Sequence, residues 1–222
     1  MISKIKRIQE VFLGRKIEDV HFVVLTPLQK IYMDMFNVFN CEKEITNGFY
    51  RNAIFREDTR CILICCPQGA ASQDIIYLFS NVQIFFFGYA GSLIEDISIG
   101  SVVEVANIID EDGETYPLAF QNMFTSVTGA YSPCFLGEMA KTACLMARQR
   151  GALVVDMETV HCTKAAINTN NSFSSSLLIT DIPKITDVWS VDIKDTEKIK
   201  IGYNRALNVI RKNIAMRTKY EK

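Results

Sequence analysis

Two carboxylates in the segment "VVDMETVHC" (residues 154–162) are the first candidates for chemistry in this sequence. Asp156 and Glu158 lie on either side of a methionine. Two apolar valines precede these three residues, and a helix-like run follows them. In open α/β proteins, ligands bind in the crevice beyond the carboxyl ends of the strands, and this segment is predicted to lie there. The structural alternative is that Asp156 caps the helix and that Glu158 favours the positive end of the helix dipole.

A third carboxylate, Asp181, follows the apolar run "SLLIT" and precedes "IP". A purely structural residue at such a strand end is more often Gly, Asn or Ser, so this aspartate is a candidate functional group. An Asx-turn at the strand end is the alternative interpretation.

Two glycines, Gly88 and Gly91, bracket the end of the apolar run "VQIFFFGYAG". The pair predicts a turn at which the backbone could approach a ligand closely and offer amides to an anion or hydroxyl. A structural tight turn is the favoured explanation when these glycines are considered alone.

Composition limits the classes of function. The chain has 222 residues, of which 49% are hydrophobic and 22% charged, and this suits one globular domain with an ample core. With 24 basic and 25 acidic residues the net charge is −1, which argues against a nucleic-acid or membrane-surface partner. The beginning of the sequence is too polar for a signal peptide, and no apolar run reaches membrane-spanning length.

The cysteines indicate a reducing compartment. There are seven, an odd number, and several lie in apolar runs such as "CILICC" (residues 61–66). Free cysteine in such a run behaves as a small buried hydrophobe, so we expect a cytoplasmic protein with reduced thiols. The only histidines are His21 and His161, and no His/Cys cluster has the spacing of zinc ligands. We therefore predict neither a metal nor a cofactor.

Apolar runs of strand length alternate with amphipathic segments along the chain. The Ser/Asn-rich segment 168–176 is predicted to be a loop. The predicted strands are 20–26, 50–57, 61–66, 82–91, one within 99–113, 122–129, 153–157 and 175–183. The predicted helices are 3–13, 28–39, one within 67–81, 136–152, 158–169 and 195–218.

Continuous apolar strands require a sheet that is covered on both faces. We therefore predict a single α/β domain over residues 1–222, with its core at about 20–215. A mixed, twisted central sheet is flanked by helices in this prediction, and the long last helix packs across one face.

Three ordered motifs resemble those of the nucleoside phosphorylase and nucleosidase superfamily, which includes the methylthioadenosine/S-adenosylhomocysteine nucleosidases. They are "GYAGSLIEDISIGSVV" (88–103), "VVDMETVHCTKAA" (154–166) and "LLITDIP" (177–183). The 23-residue interval between Glu158 and Asp181 also fits the nucleosidase branch. The resemblance covers about residues 20–215 and implies a phosphorylase/hydrolase-like fold, a homodimer and no cofactor.

The resemblance also implies cleavage of the N-glycosidic bond of a purine nucleoside or a related small-molecule nucleoside. By this likeness Asp181 protonates the leaving base at N7, Glu158 accepts hydrogen bonds from both ribose hydroxyls, and Met157 packs under the ribose. Phe135 stacks on the base, and backbone groups near Leu136 read its edge. Taken alone, Phe135 and Met157 are more often core residues. The other residues of the implied substrate site are Thr26, Gly88, Ala90, Gly91 and Thr180.

The sequence departs from the family pattern near the first strand. Ile31 stands where the hydrolase branch places a glutamate that orients water, and Lys30 is the only cation near the first turn, where the phosphorylase branch has arginines. The segment "PQGAASQDI" (67–75) matches a family loop incompletely. Hydrolysis is therefore slightly favoured over phosphorolysis, with phosphate as the alternative nucleophile. The alternative function is that of a catalytically weakened nucleoside-binding or sensing protein.

Overall fold

The apolar runs form a nine-stranded mixed sheet in the computed structural model, which describes residues 2–42, 44–119, 121–134, 137–182 and 193–220. The strand order is β2-β3-β1-β4-β8-β7-β5-β6, and β9 pairs with both β4 and β5. The strands are β1 Phe22–Thr26, β2 Asn52–Ile54, β3 Cys61–Cys65, β4 Gln83–Ser92, β5 Val102–Ile109, β6 Thr115–Pro117, β7 Thr125–Tyr131, β8 Val154–Asp156 and β9 Ser172–Asp181.

Helices cover both faces of the sheet. They are α1 Ile2–Leu13, α2 Gln29–Val38, the one-turn α3 Gln73–Ile76, α4 Gly137–Gln149, α5 Thr159–Asn168 and α6 Ile193–Tyr220. A short 3-10 turn, Gly69–Ser72, precedes α3. Of the helices within the described residues, none is long and apolar enough to cross a membrane.

The apolar run of β4 does not alternate with polar residues, because both faces of this strand are covered. Ile84 and Phe86 belong to a core cluster that includes residues of α1, α3 and α5, whereas Phe85 and Phe87 belong to a second cluster with α2 and α6. Successive side chains of a strand point to opposite faces, so both faces of β4 must be apolar when both are covered. The predicted fold class, a mixed α/β sheet flanked by helices, is confirmed.

The predicted loop at residues 168–176 is wrong, because β9 already begins at Ser172. Ser174, Ser175 and Ser176 are buried in the middle of the sheet, where β9 pairs with β4 on one side and β5 on the other. The Ser175 hydroxyl lies 3.1 Å from Thr159 Oγ1 of α5. The ladders satisfy the backbone groups, and hydroxyl contacts satisfy Ser174 and Ser175, whereas the Ser176 hydroxyl is buried without a hydrogen-bond partner among the described residues. Tertiary context therefore overrides the composition of the segment.

The predicted turn between Gly88 and Gly91 is also wrong, because both glycines lie inside β4. Gly88 pairs with Leu177 and Gly91 with Asp181 of β9, and the register shifts between Ala90 and Gly91. A Cβ on Gly88 would lie 2.7 Å from Cε1 of the Phe86 ring, so this glycine makes room for a packed aromatic side chain. Glycine here marks close packing and an irregular strand, which is its other common meaning within a sheet.

Candidate active site

The carboxyl ends of β8 and β9 lie on either side of the same residue of β4. Gly91 pairs with Val155 of β8 in an antiparallel register and with Asp181 of β9 in a parallel one. Neighbouring strands are about 4.8 Å apart, so the backbones of Val155 and Asp181 lie roughly 10 Å from each other. The two acidic segments singled out in the sequence are therefore brought to one place in the sheet.

Asp156 supports the start of α5. Its Oδ2 accepts hydrogen bonds from the backbone N–H of Thr159 at 2.9 Å, from the Thr159 hydroxyl at 2.6 Å and, more weakly, from the Glu158 N–H at 3.4 Å. These amides would otherwise lack partners at the first turn of the helix. Asp156 therefore supports the first turn of α5, as the structural interpretation expects, although the N-cap position itself is occupied by Glu158. Its Oδ1 is buried and has no hydrogen-bond partner among the described residues.

Glu158 does not cap the helix with its side chain. Its Oε1 accepts a hydrogen bond of 2.7 Å from the backbone N–H of Gly69, which lies in the segment between β3 and α3. Gly69 has φ of +64°, a conformation that favours glycine, and a Cβ there would lie 3.7 Å from the terminal methyl of Met157. The loop at Gly69 therefore fixes Glu158 and touches Met157, while Glu158 itself is only 5% exposed.

Asp181 is a buried carboxyl with few donors. Its Oδ1 accepts a 2.7 Å hydrogen bond from the Thr180 hydroxyl, whereas Oδ2 is buried without a hydrogen-bond partner among the described residues. Burial disfavours the charged form and raises the pKa of Asp181 to about 7, although the Thr180 hydrogen bond opposes the shift. At neutral pH this side chain can therefore exist either as an acid or as a carboxylate.

No positive charge of the described residues lies beside the three carboxyls. Within the described part of the chain, none of Asp156, Glu158 and Asp181 forms an ion pair. Burial raises the pKa of Glu158, and the neighbouring Asp156 raises it further. Burial likewise raises the pKa of Asp156. Groups with perturbed pKa values that gather at strand ends are typical of functional sites.

Thr26, Phe135 and Leu136 were also predicted to line the site. Thr26 ends β1, is fully buried, and its Oγ1 accepts a weak 3.4 Å hydrogen bond from the Leu28 N–H. Leu25 is level with Phe86 in the parallel register, which places Thr26 level with Phe87 rather than beside Asp181. Phe135 and Leu136 lie outside the described residues.

The region after β1 offers little for a nucleophile. Ile31 is fully buried in the core cluster beneath α2, so the position where a glutamate is expected contributes an apolar side chain to the core. Lys30 Nζ lies 2.7 Å from Asp34 Oδ2 and is largely exposed. Asp34 in turn accepts a 2.8 Å hydrogen bond from the Tyr203 hydroxyl.

Two contributors to this site were not predicted from the sequence. Gly69 holds Glu158, and the only signal for it is a glycine within a loop that matches the family pattern incompletely. Thr159 links Asp156 to Ser175 of β9 through its hydroxyl. Ser175 lies where the predicted loop 168–176 and the predicted strand 175–183 overlap, and no local pattern indicated that its hydroxyl would lie against Thr159.

Sequence comparison alone does not place the chain: no protein-family profile matches it, and a search of curated proteins returns no significant match. Comparison with solved structures is informative. A Campylobacter jejuni 5′-methylthioadenosine/S-adenosylhomocysteine nucleosidase matches with a TM-score of 0.72 at 11% identity, over 88% of this chain and 98% of that one.

Two further neighbours belong to other nucleosidase types. A mutant futalosine hydrolase of Helicobacter pylori matches with a TM-score of 0.69 at 12% identity, over 89% of this chain and 99% of that one. An AMP nucleosidase from Bacteroides thetaiotaomicron matches with a TM-score of 0.68 at 16% identity, over 96% and 98%. At these identities the likeness shows the fold. The chain therefore has the fold of these nucleosidases, and the predicted phosphorylase/hydrolase-like fold is confirmed.

Proposed function

We propose that the protein cleaves the N-glycosidic bond of a purine nucleoside or a related nucleoside. The observation that carries the proposal is the buried Asp181 carboxyl, which lies across Gly91 from the Met157–Glu158 segment. One of its oxygens has no hydrogen-bond partner among the described residues, and its pKa is raised to about 7. A buried carboxyl without a cation is costly to keep unless a ligand or a reaction uses it. The nucleosidase fold of the neighbours supports the same chemistry.

Asp181 is assigned the role of general acid. As the bond between C1′ and the base breaks, the base leaves with the bonding electrons and the sugar acquires oxocarbenium character. A proton transferred from Asp181 to N7 neutralises the departing base. Water then adds to C1′ and releases a proton that restores the carboxyl, so the products are the free base and the free sugar.

Glu158 is assigned to the sugar. An ionised carboxylate is an acceptor with two oxygens, and it can receive hydrogen bonds from both ribose hydroxyls. Gly69 fixes one oxygen at 2.7 Å and so orients the carboxylate. Ribose donors favour the charged form, so substrate binding would lower the raised pKa of Glu158. Met157 packs under the ribose, and Thr26, Gly88, Ala90, Gly91, Thr180, Phe135 and Leu136 complete the proposed substrate site.

Water is favoured over phosphate as the nucleophile. A phosphate site needs cations, and Lys30, the cation nearest the first turn, is paired with Asp34 at 2.7 Å. Phosphorolysis, a glycosyl transfer to phosphate, remains the alternative reaction. The second candidate function is a catalytically weakened nucleoside-binding or sensing protein, and the apolar Ile31 in the core favours it, because no glutamate orients a water there.

Base release separates these possibilities. The purified protein is incubated with a nucleoside panel that includes 5′-methylthioadenosine, AMP and futalosine, with and without phosphate, and base and sugar products are separated by chromatography. Free base and free sugar without phosphate support hydrolysis, whereas sugar 1-phosphate formed only with phosphate supports phosphorolysis. Binding without base release favours the sensing protein. Asp112→Asn, at an exposed aspartate, is the matched control for Asp181→Asn.

The proposal includes a homodimer in the cytoplasm, acting in purine metabolism. Helix α4 exposes three large apolar side chains, Met139 (66% exposed), Leu145 (39%) and Met146 (42%), next to a groove of about 470 Å³. An exposed apolar patch of this kind is typical of an interaction surface. The seven cysteines, which form no disulfide, are compatible with a reducing compartment. A monomer mass by light scattering at micromolar concentration would contradict the dimer.

A further inference from the structure

Three side chains of the metal-ligand type meet at the amino ends of β1 and β3. His21 immediately precedes β1, Cys61 begins β3, and Asp58 lies in the turn before it. His21 Nε2 lies 3.8 Å from Asp58 Oδ2 and 3.9 Å from Cys61 Sγ. Within the described residues, this is the one group of three or more His, Cys, Asp or Glu side chains whose ligand atoms all lie within 4.8 Å of one another.

The backbone holds the three residues in fixed positions. The His21 N–H donates to the Arg60 carbonyl at 3.1 Å, and the Cys61 N–H donates to the Asp58 carbonyl at 2.9 Å. Phe22, the residue after His21, is paired with Cys61 in the parallel ladder of β1 and β3. The ligand positions thus belong to the sheet and to one tight turn, Asp58 to Cys61, which has the i, i+3 spacing of many zinc-binding turns.

The geometry argues against a catalytic proton relay in which the histidine bridges a cysteine and an aspartate. Both the carboxylate and the thiol approach the same imidazole nitrogen, Nε2, whereas a relay needs one partner on each ring nitrogen. Two ligand-type atoms near one ring nitrogen are the arrangement around a shared cation. Asp58 and Cys61 are 7% and 1% exposed, so the group is more than a surface cluster of charges.

We propose that His21, Asp58 and Cys61 form a structural Zn²⁺ site. Zinc accepts imidazole, carboxylate and thiolate ligands, and a tetrahedral ion places such atoms about 3.4–3.6 Å apart. The observed 3.8 and 3.9 Å require a contraction of a few tenths of an ångström. A nitrogen and a sulfur ligand disfavour Mg²⁺ and Ca²⁺. The thiol binds as thiolate and gives its proton to solvent, and water fills the fourth position on the half-exposed side of His21.

Arg60 competes with the ion for the Asp58 carboxylate. Its Nε and backbone N–H donate to Asp58 Oδ1 at 3.2 and 3.0 Å, and its Nη2 donates to Oδ2 at 3.3 Å. The first two bonds orient the carboxylate and are compatible with a metal on Oδ2, whereas the third must be released. The guanidinium is 41% exposed and has room to move toward solvent. Replacing it should therefore tighten zinc binding.

The site is remote from the proposed reaction. Strands β1, β4 and β9 run parallel, and the zinc ligands lie at the amino ends of β1 and β3, whereas Asp181 lies at the carboxyl end of β9. We therefore expect zinc to stabilise the protein without changing the rate of base release. The spacing of His and Cys along the sequence did not indicate this site, because α2 and β2 intervene between His21 and the Asp58–Cys61 turn.

Zinc binding is tested on the full chain after removal of metal and reduction of the thiols. Calorimetric titration with Zn²⁺ should give one ion per chain, and the melting temperature should rise by about 5–10 °C at a free zinc concentration a hundredfold above Kd. Co²⁺ in place of Zn²⁺ should give the absorption of a tetrahedral thiolate complex. Cys61→Ser and His21→Gln should each weaken binding at least about a hundredfold, since loss of a ligand exceeds loss of an outer partner.

Matched variants separate this site from adventitious thiols. Cys144→Ser, at a half-buried thiol elsewhere, should bind zinc like the wild type, and Arg60→Gln should bind it about tenfold more tightly. His21 is partly exposed, so we expect His21→Gln to fold. This variant therefore tests the site even if Cys61→Ser fails to fold. The proposal is overturned if the wild type binds no stoichiometric zinc, or if His21→Gln binds it with unchanged affinity.

Discussion

Asp110 and Asp181 are both buried aspartates, 4% and 6% exposed, yet the chain surrounds them differently. Asp110 receives the Lys164 ammonium at 2.7 Å, the Glu114 and Asp112 N–H groups at 2.8 and 3.0 Å, and the Tyr116 hydroxyl at 3.2 Å. Asp181 receives only the Thr180 hydroxyl among the described residues. Burial would raise the pKa of both, but the partners of Asp110, Lys164 foremost, hold its pKa below the usual value.

The two aspartates differ in how many hydrogen-bond donors the chain supplies to their carboxylate oxygens. A carboxylate with a structural role is surrounded by donors that the chain itself supplies, as at Asp110. At the end of β9, by contrast, Asp181 has an oxygen without such a donor among the described residues. An external ligand is the partner that we propose for it.

The largest effect is expected for Asp181→Asn. The amide keeps the shape of the side chain but cannot transfer a proton, so binding should survive while kcat for base release falls by about 10²–10⁴. Initial rates at saturating nucleoside and a separate Kd by calorimetry measure the two quantities. If Asp181 were only an Asx-turn residue, asparagine would replace it with near-normal kcat. The exposed Asp112→Asn control should retain full activity.

A smaller loss is expected for Glu158→Gln. One acceptor oxygen becomes a donor amide, so the side chain can no longer accept from both ribose hydroxyls. A charge-assisted hydrogen bond contributes about 1.5–3 kcal/mol, which corresponds to a loss of roughly ten- to a hundredfold in kcat/KM. A 2′-deoxynucleoside lacks one of the hydroxyls. The ratio of kcat/KM between the wild type and Glu158→Gln should therefore be smaller for this substrate than for the ribonucleoside. Equal losses on both substrates would argue against the ribose contact.

Asp110→Asn should reverse the pattern, with stability reduced and activity spared. The variant leaves Lys164 without its carboxylate, and we expect a loss of about 1–2 kcal/mol in the free energy of unfolding. Because the pKa of Asp110 is depressed in the folded state, its contribution is fully present above the unfolded value of about 3.9 and is lost as pH falls through the folded pKa. Urea unfolding at pH 7 and pH 3 measures this: the gap between variant and wild type should narrow at pH 3, and a constant gap would contradict the argument.

The smallest effect concerns the stability of Asp181→Asn. Because the folded pKa of about 7 is raised above the unfolded value, the native state is penalised at pH 8 and relieved as pH falls toward 4. Asp181→Asn removes that penalty, so it should melt a few degrees higher than the wild type at pH 8. The gain should shrink at pH 5, where the wild-type carboxyl is protonated. A variant that melts lower than the wild type at pH 8 would show that the carboxylate stabilises the fold.

The sequence predicted much of the fold, because the fold depends on apolar runs that must be covered on both faces. The bounds of β1, β3 and β4 and the long α6 follow from such runs. The polar residues 172–174 misled the prediction, since composition alone places such a segment in a loop, whereas β9 begins there and pairs with β4. The glycines of β4 misled it too, because close packing against Phe86 and a turn demand the same residue.

The residues of the candidate site stand out in the sequence where a polar residue interrupts an apolar pattern, as at Asp156, Glu158 and Asp181. Contacts between residues far apart in the chain were not, since the pairing of Gly69 with Glu158 depends on where the β3–α3 segment folds over α5. The same limit applies to His21, Asp58 and Cys61. Their proximity is set by the register of β1 against β3, which no local pattern encodes.

Titration of the aspartate carboxyls by carbon-13 NMR tests the central claim most directly. In protein labelled at the aspartate carboxyl carbon, Asp181→Asn and Asp110→Asn identify their resonances by the signal that each removes. We expect a titration midpoint of about 7 for Asp181 and one below the usual aspartate value for Asp110. A midpoint near the ordinary aspartate value of about 3.9 for Asp181 would contradict its assignment as the proton donor.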